Sequence, residues 1–325
     1  METGPDDEHF PAWCEVWATS QRADRPDDPP RPASDHVALG RRLLEPGGSQ
    51  DGTHRAAVGG DAVVGALRLL FPLRDNPTVV HVDLAVHPGH RRQGVGSTLL
   101  EEGATGRGRR ALVADRRGGR ARTGGGRPRL RPAARVDLRP GGDRRDPLLP
   151  PDEDRLAALK AAAAGAGYEV LTWRDRTPDA FVEDRALLER RMSTDARSGE
   201  LPLGEEHWYA ARVREHEAAH AARGHTVLVG GAVGDGRLVA STELHVPREQ
   251  PRRAHQGATL VLSEHRGHRL GARIKTAVLR ELAATLPEVR RVSTYNAESN
   301  RPMVVVNEAL GFCRAGGLST WSRRL

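Results

Sequence analysis

The chain has 325 residues, 38% of them hydrophobic and 29% charged, which is more than one hydrophobic core usually accommodates and enough for two domains of about 100–150 residues each. No apolar run approaches the roughly 18–20 residues of a membrane span, and the acidic start Met1–Pro11 lacks the basic-then-apolar order of a signal peptide, so a soluble, cytoplasmic protein with no membrane partner is expected. The formal charge of +7 would suit a nucleic-acid binder, but 14 Arg face only Asp115, Asp137 and Asp143 between Arg107 and Arg145, so the whole excess sits in one stretch.

The two cysteines, Cys14 and Cys313, have no His or Cys neighbours at metal spacing. Neither a disulfide framework nor a metal site is expected, and both thiols read as small buried residues. Along the chain, a Pro- and Asp-rich loop at Arg25–Asp35 leads to a short helix around Val37–Leu44. Asp61–Phe71 and Val79–Val86, rich in β-branched and apolar residues and bounded by Gly, Pro or Asn, predict strands. Within Arg91–Gly103, Val95, Leu99 and Leu100 fall at helical spacing, and Ala111–Ala114 predicts another strand. Strand, glycine turn, helix, strand is the order of a βαβ unit with local parallel pairing.

Residues 116–147 then show neither the period of a strand nor that of a helix. An Ala-rich helix at Asp152–Ala166 and a strand at Tyr168–Trp173 resume the pattern. The second half repeats the plan with more helix in front: helices at Ala180–Met192 and Glu205–Arg223, then strands at Thr226–Val233, Arg237–Val246 and His255–Leu262. A basic turn, His265–Gly271, opens a helix ending near Leu286, followed by a strand at Val289–Tyr295, a helix at Ser299–Leu310 and one or two closing strands within Cys313–Arg323. Arg91 and Arg266 mark corresponding points about 175 residues apart, the spacing of a duplicated domain and not of a solenoid, whose units are roughly 20–50 residues. The expected fold is α/β with mixed sheets, in two domains at 1–150 and 151–325.

The sharpest chemical signal is the run VHPGHRRQGVGS from Val86 to Ser97, at the end of a strand and the start of a helix. Amides without intrahelical partners and the helix dipole suit such a turn to a pyrophosphate. Gly94 and Gly96 let the backbone approach the phosphates, and Arg91 and Arg92 offer charge-assisted contacts. Preceded by a strand and Val-x-Pro, Arg91-x-x-Gly94-x-Gly96 resembles the acetyl-CoA signature of the GNAT superfamily of N-acetyltransferases. The resemblance implies two tandem GNAT-like domains with acetyl-CoA as co-substrate. It further implies that the amides of Gln93, Gly94, Val95, Gly96 and Ser97 hold the pyrophosphate, while the strand edge at Leu84–Val86 pairs with the pantetheine arm.

A looser second copy runs through Arg266, Gly267, His268, Arg269, Leu270 and Gly271. Gly271 is matched there to the first glycine of the signature, which leaves Arg273 where the family prefers Gly or Ala. Asn300, followed by Asn307-Glu-Ala-Leu-Gly311-Phe312, resembles the closing GNAT segment, with Asn300 capping a helix and Gly311 ending it at positive φ. The family often has a Tyr acid four residues before that Gly, and Asn307 stands there instead. Tyr295 is a substitute acid by proximity in sequence, and Asp83 and Glu243 are candidate bases. Each of these also reads as an ordinary strand residue. The implied chemistry is direct transfer of the acetyl group to a primary amine of a small-molecule acceptor, its carbonyl polarised by a strand amide.

In place of the helix and strands that should close the first domain stands the stretch 116–147. One reading is a basic insert for RNA or an acidic partner, although it lacks aromatics for base stacking. The preferred reading is translation from a shifted frame, because the 50 Lys and Arg include only two Lys, Lys160 and Lys275, the bias of GC-rich coding DNA. The better motif would then sit in a domain lacking one wall. Three function classes remain, in this order: an active N-acetyltransferase, a catalytically silent relative and a nucleic-acid binder. A dinucleotide-binding enzyme is disfavoured by the missing Gly-x-Gly-x-x-Gly spacing.

Overall fold

The computed structural model describes residues 1–26, 28–45, 47–104, 111–116, 137–139, 142–147, 153–162, 167–195, 204–297, 300–317 and 319–324. The chain forms two compact units, one of Met1–Gly141 with Gly316–Leu325 and one of Gly142–Ala315. This division departs from a boundary at residue 150, because the last strand of the chain belongs to the first sheet and the strand at 142–146 to the second. Among the described residues no helix is long and apolar enough to cross a membrane.

The first unit comprises β1 (Glu2–Thr3), α1 (Phe10–Asp24), α2 (Ala33–Leu43), β2 (Gln50–Gly59), β3 (Ala62–Pro72), β4 (Val79–Val86), α3 (Val95–Ala104), β5 (Ala111–Arg116) and β6 (Asp137–Arg139). Its sheet runs β1-β2-β3-β4-β5 and continues through β14 (Ser319–Arg324) to β6. The pairs from β1 to β4 are antiparallel, and β4 and β5 are parallel across α3. Alternation sorts the strand residues onto two faces. Leu67, Leu69, Phe71, Val80 and Val82 pack with Leu99 of α3, while Ala56, Ala66 and Ala85 lie under Phe10, Trp13 and Val16 of α1. The alanines are small where the helix is large: Phe10 and Trp13 stack 5.1 Å apart, and Trp13 Nε1 donates to Arg55 O at 3.0 Å.

The second unit comprises β7 (Gly142–Asp146), α4 (Glu153–Ala162), β8 (Tyr168–Arg174), α5 (Val182–Asp195), α6 (Ala210–Ala222), β9 (His225–Gly234), β10 (Arg237–Pro247), β11 (Arg253–Val261), α7 (Leu270–Thr285), β12 (Arg291–Ala297), α8 (Arg301–Ala309) and β13 (Cys313–Gly317). Its sheet order is β13-β7-β12-β11-β10-β9-β8. Leu228, Leu244 and Val246 bury against Val278, Leu279 and Leu282 of α7. The parallel pair here is β11 and β12, the counterparts of β4 and β5.

Several sequence expectations are corrected. α1 and β2 have no counterpart among the elements that the sequence predicts. Pro11 at the start of α1 is compatible with a first turn, where its missing N–H is not needed, and β2 turns Gly52, His54 and Ala56 inward in place of bulky apolar residues. α6 begins at Ala210, not Glu205, because Tyr209 is extended at φ −148°. Of the stretch read as irregular, 137–139 and 142–146 are strands, and β5 has β14 and then β6 beyond it, so the chain's last strand serves where a missing wall was expected. Residues 117–136, on which the frame-shift and RNA-binding readings chiefly fall, lie outside the described residues. Cys14 is buried and its thiol is pushed up to about 11 by that burial, but Cys313, on β13, is exposed.

Deleting residues 318–325 removes the partner that β5 has from Ala111 to Arg116. Differential scanning calorimetry of this truncation should show the transition of the first unit several degrees lower while that of the second is unmoved. An unchanged first transition contradicts the pairing.

Candidate functional site

In the first unit two features converge at the carboxyl end of β4. Among the described residues the parallel ladder from β4 to β5 pairs Val79 to Val82 with Ala111 to Ala114, although β4 stays paired to β3 as far as Val86 opposite Gly65. Leu84, Ala85 and Val86 therefore lie beyond the described ladder with β5. The turn into α3 begins there. Arg92 and Gly94 both have positive φ, 68° and 87°; for Gly94 this is cheap, and a Cβ there would meet nothing within 4 Å. The ladder of α3 starts with the amides of Ser97 and Thr98, which both donate to Gly94 O at 2.9 and 3.1 Å. The amides of Gln93 to Gly96 precede it and are the ones available to an anion. Ser97 therefore drops out as an amide donor, since its N–H is spent inside the helix.

Arg91 is also reassigned. Its Nε donates to Val86 O at 3.2 Å, and its guanidinium binds Asp24 at 2.7 and 3.1 Å and Ser20 Oγ at 2.9 Å. Held in this way, it latches the turn to the end of α1 instead of reaching for phosphate. Arg92 and Gln93 remain exposed.

The second unit repeats the latch. Arg266 Nε donates to Val261 O at 3.1 Å, and Nη2 donates to Asp195, at the end of α5, at 2.7 Å. This match fixes the register of the repeat: Gly267 (φ 88°) answers to Arg92, Arg269 (φ 55°) to Gly94, and Gly271 to Gly96. The sequence alignment, which set Gly271 against the first glycine and Arg273 against the second, is thus two residues out. Arg273 lies further into α7 and donates to Tyr168 O at 3.0 Å, so it does not crowd the turn. The residue that differs is Arg269, an exposed non-Gly residue in the left-handed region. His268 is exposed as well, its ring 5.3 Å from that of Tyr168. Among the described residues the β11–β12 ladder runs as far as His255 opposite Ser293, ending part-way along β11 as the β4–β5 ladder ends part-way along β4.

None of the proposed acid–base residues is an unencumbered group. Asp83 is ion-paired to the buried Arg68, on the α1 and α2 face of the sheet, with Arg68 Nε at 3.0 Å. Glu243 is buried and accepts from Arg185 Nη2 at 2.6 Å, while its other oxygen lies 3.0 Å from His245 Nε2. Burial, foremost, pushes this carboxyl up, but its neighbours His245 and Arg185 outweigh it and hold it well below the usual carboxylate range. Glu189 shares Arg185, and burial, foremost, pushes its carboxyl up. Tyr295 is half-buried on β12, opposite Arg144 of β7.

Asn307, where the family often has its Tyr, is fully buried in a polar network. It donates from Nδ2 to Asn296 Oδ1 at 2.7 Å and accepts at Oδ1 from Lys275 Nζ at 3.0 Å. Asn300 caps α8, accepting from Met303 N at 3.4 Å, and Gly311 has φ 88°, as the sequence predicts. Sequence reasoning passed over Arg185, Glu189 and Lys275. Lys275, one of the chain's two lysines, stands in the otherwise apolar face of α7, and that break in pattern was a usable signal.

Two mixed sheets, each with a parallel strand pair beside a helix N-terminus, define a tandem acyltransferase fold. Known proteins agree with this geometry. The Acetyltransferase (GNAT) family matches residues 11–111 and 189–312, and the chain belongs to that family. A tandem GNAT protein from the clavulanic acid biosynthesis pathway, solved without AcCoA, is 31% identical over 100% of this chain and 97% of its own, with a TM-score of 0.79. A GCN5-related N-acetyltransferase from Sphaerobacter thermophilus shares the fold at 16% identity, over 99% of this chain and 94% of its own, with a TM-score of 0.60. An acetyltransferase-like protein from Pyrococcus horikoshii does so at 13%, over 100% and 88%, with a TM-score of 0.53. No match is found among curated proteins.

Burial pushes the Lys275 ammonium down to about 7. The unfolded chain keeps the ordinary value near 10.5, so it holds more protons between these limits, and stability rises as pH increases from about 7 toward 10.5. Urea unfolding at pH 7 and pH 9 should show that rise for the second unit. Lys275→Met should flatten it and add roughly 2–5 kcal/mol at pH 7; an equal rise in both proteins contradicts a buried, titrating lysine.

Proposed function

We propose that the chain is an N-acetyltransferase that moves the acetyl group of acetyl-CoA to a primary amine of a small-molecule acceptor, acting in the cytoplasm through the cleft of the first unit. The observation that carries this reading is the edge of β4 at Leu84–Val86, beyond its described ladder with β5, running directly into a turn whose amides from Gln93 to Gly96 precede the α3 ladder. Pantetheine amides would complete the strand edge, and the pyrophosphate would take the turn amides in the open space beside Gly94. The amine nitrogen attacks the thioester carbonyl carbon, and a strand amide stabilises the oxyanion. The C–S bond then breaks, releasing CoA thiolate. Asp83 and Glu243 are tied to arginines, so water removes the amine proton and solvent returns one to the thiolate.

A specific observation favours a silent role for the second unit in this reaction. Arg269 projects from the position of Gly94, and Asn307 is buried and committed to Lys275 and Asn296. An amide in that network supplies no proton to a leaving thiolate.

Isothermal titration of acetyl-CoA tests the assignment. One site per chain is expected, abolished by Gly94→Asp with Gly96→Asp and retained in Gly271→Asp, with circular dichroism confirming that each variant is folded. Binding lost only in Gly271→Asp moves the site to the second unit, and no binding to the folded parent chain overturns the enzyme assignment.

A further inference from the structure

Beneath α6 the second unit gathers three histidines that the acyl-transfer reading does not use. His220 lies near the end of α6, His225 opens β9 and His245 is on β10. Pro247 stands opposite His225 in the antiparallel ladder. His245, two residues back, is therefore its diagonal neighbour on the same face of the sheet. The helix brings the third ring down onto that pair. His220 Nδ1 lies 3.3 Å from His225 Nδ1 and 3.1 Å from His245 Nδ1, and the three residues offer ligand atoms that all fall within 4.8 Å of one another.

Three imidazoles make poor hydrogen-bond partners in this arrangement. Each Nδ1 carries either one proton or one lone pair, so His220 Nδ1 cannot serve both neighbours fully. A cation accepts all the lone pairs at once. Nitrogens bound at ~2.0–2.1 Å to a tetrahedral zinc stand roughly 3.3–3.4 Å apart, close to the two separations seen.

Two independent features belong to such a site. The other nitrogen of His245, Nε2, lies 3.0 Å from Glu243 Oε1, the carboxylate–histidine contact that commonly orients a metal-ligating imidazole. The pair is pressed into place by β11, where a Cβ on Gly257 would fall 2.5 Å from His245 Nε2 and 2.6 Å from Glu243 Oε1. In addition, His220 and His225 are separated by four residues, within the x3–5 spacing of histidine pairs in zinc sites.

We propose that His220, His225 and His245 bind one divalent transition-metal cation of the zinc class, with solvent in the fourth position and Glu243 orienting His245. All-nitrogen ligation selects zinc, cobalt, nickel or copper over magnesium or calcium, which require oxygen. The bound cation would clip the end of α6 to β9 and β10. Local spacing does not announce the site, because the third ligand is twenty residues from the second and only strand pairing brings them together.

The test uses the full chain stripped with EDTA and dialysed against zinc chloride, with bound zinc counted by mass spectrometry. One zinc per chain is expected for the parent protein and for the His207→Ala control, which alters an exposed histidine, and close to none for His220→Ala and His245→Ala. Cobalt(II) chloride with the parent protein should give the intense visible bands of a four-coordinate site. Undiminished zinc in folded His220→Ala and His245→Ala overturns the proposal. Should those variants fail to fold, the parent protein decides: sub-stoichiometric zinc together with an octahedral cobalt spectrum overturns it as well. Neither readout depends on acetyl-CoA.

Discussion

A pair of parallel strands that part company shapes each half of this protein. β4 is held to β3 from His81 to Val86, but among the described residues its pairing with β5 ends at Val82, and β11 in the second unit lies beside β12 as far as His255. Where a strand leaves its neighbour its backbone groups need other partners, as Val86 O finds in Arg91 Nε and Val261 O in Arg266 Nε. Here the strand end sits against a helix N-terminus, which favours negative charge. In the proposed reading the two together take an extended, polar chain that ends in phosphate in the first unit, and the rest of that unit keeps the cleft in shape. The latches Arg91–Asp24 and Arg266–Asp195 tie each turn to the helix on the other side of the sheet. They are partly exposed, so they position the turn more than they stabilise the fold.

Duplication has not left two equal sites. The turn keeps its backbone course in both halves, with positive φ at the same two points, yet glycine and arginine have traded places: Arg92 and Gly94 in the first unit, Gly267 and Arg269 in the second. Each half retains one glycine where the chain bends. Only the first leaves the inner position bare. The second has instead invested its interior in polar contacts, with Lys275, Asn307 and Asn296 on one side of its sheet helix and Arg185, Glu189, Glu243 and the three histidines elsewhere. Buried groups of this kind require partners, and they fix side-chain positions tightly around a face with no evident part in acyl transfer.

Much of this architecture was legible in the sequence, and the failures have physical causes. Strands with bulky inward residues, such as Val79–Val86 and Arg237–Pro247, announce themselves by composition. β2 does not, because Gly52, His54 and Ala56 face inward, Gly52 against Leu43 of α2 and the other two beneath the rings of α1. The turn from Val86 to Ser97 was found through its glycines, but the partner of Arg91 was beyond reach, since Asp24 lies 67 residues away. The two-residue error in the second copy arose from matching glycine to glycine when the conserved geometry was positive φ. The strand at 319–324 closes the first sheet from the far end of the chain, a pairing that no local pattern encodes. The histidine trio was invisible for the same reason.

The most direct test of the account is a crystal structure of the full chain grown with acetyl-CoA. The pyrophosphate should lie against the amides of Gln93 to Gly96 and the pantetheine along Leu84–Val86, with the turn at Arg269 free of nucleotide. Acetyl-CoA seated at the Arg269 turn, with the first unit empty, would contradict the assignment of the working cleft.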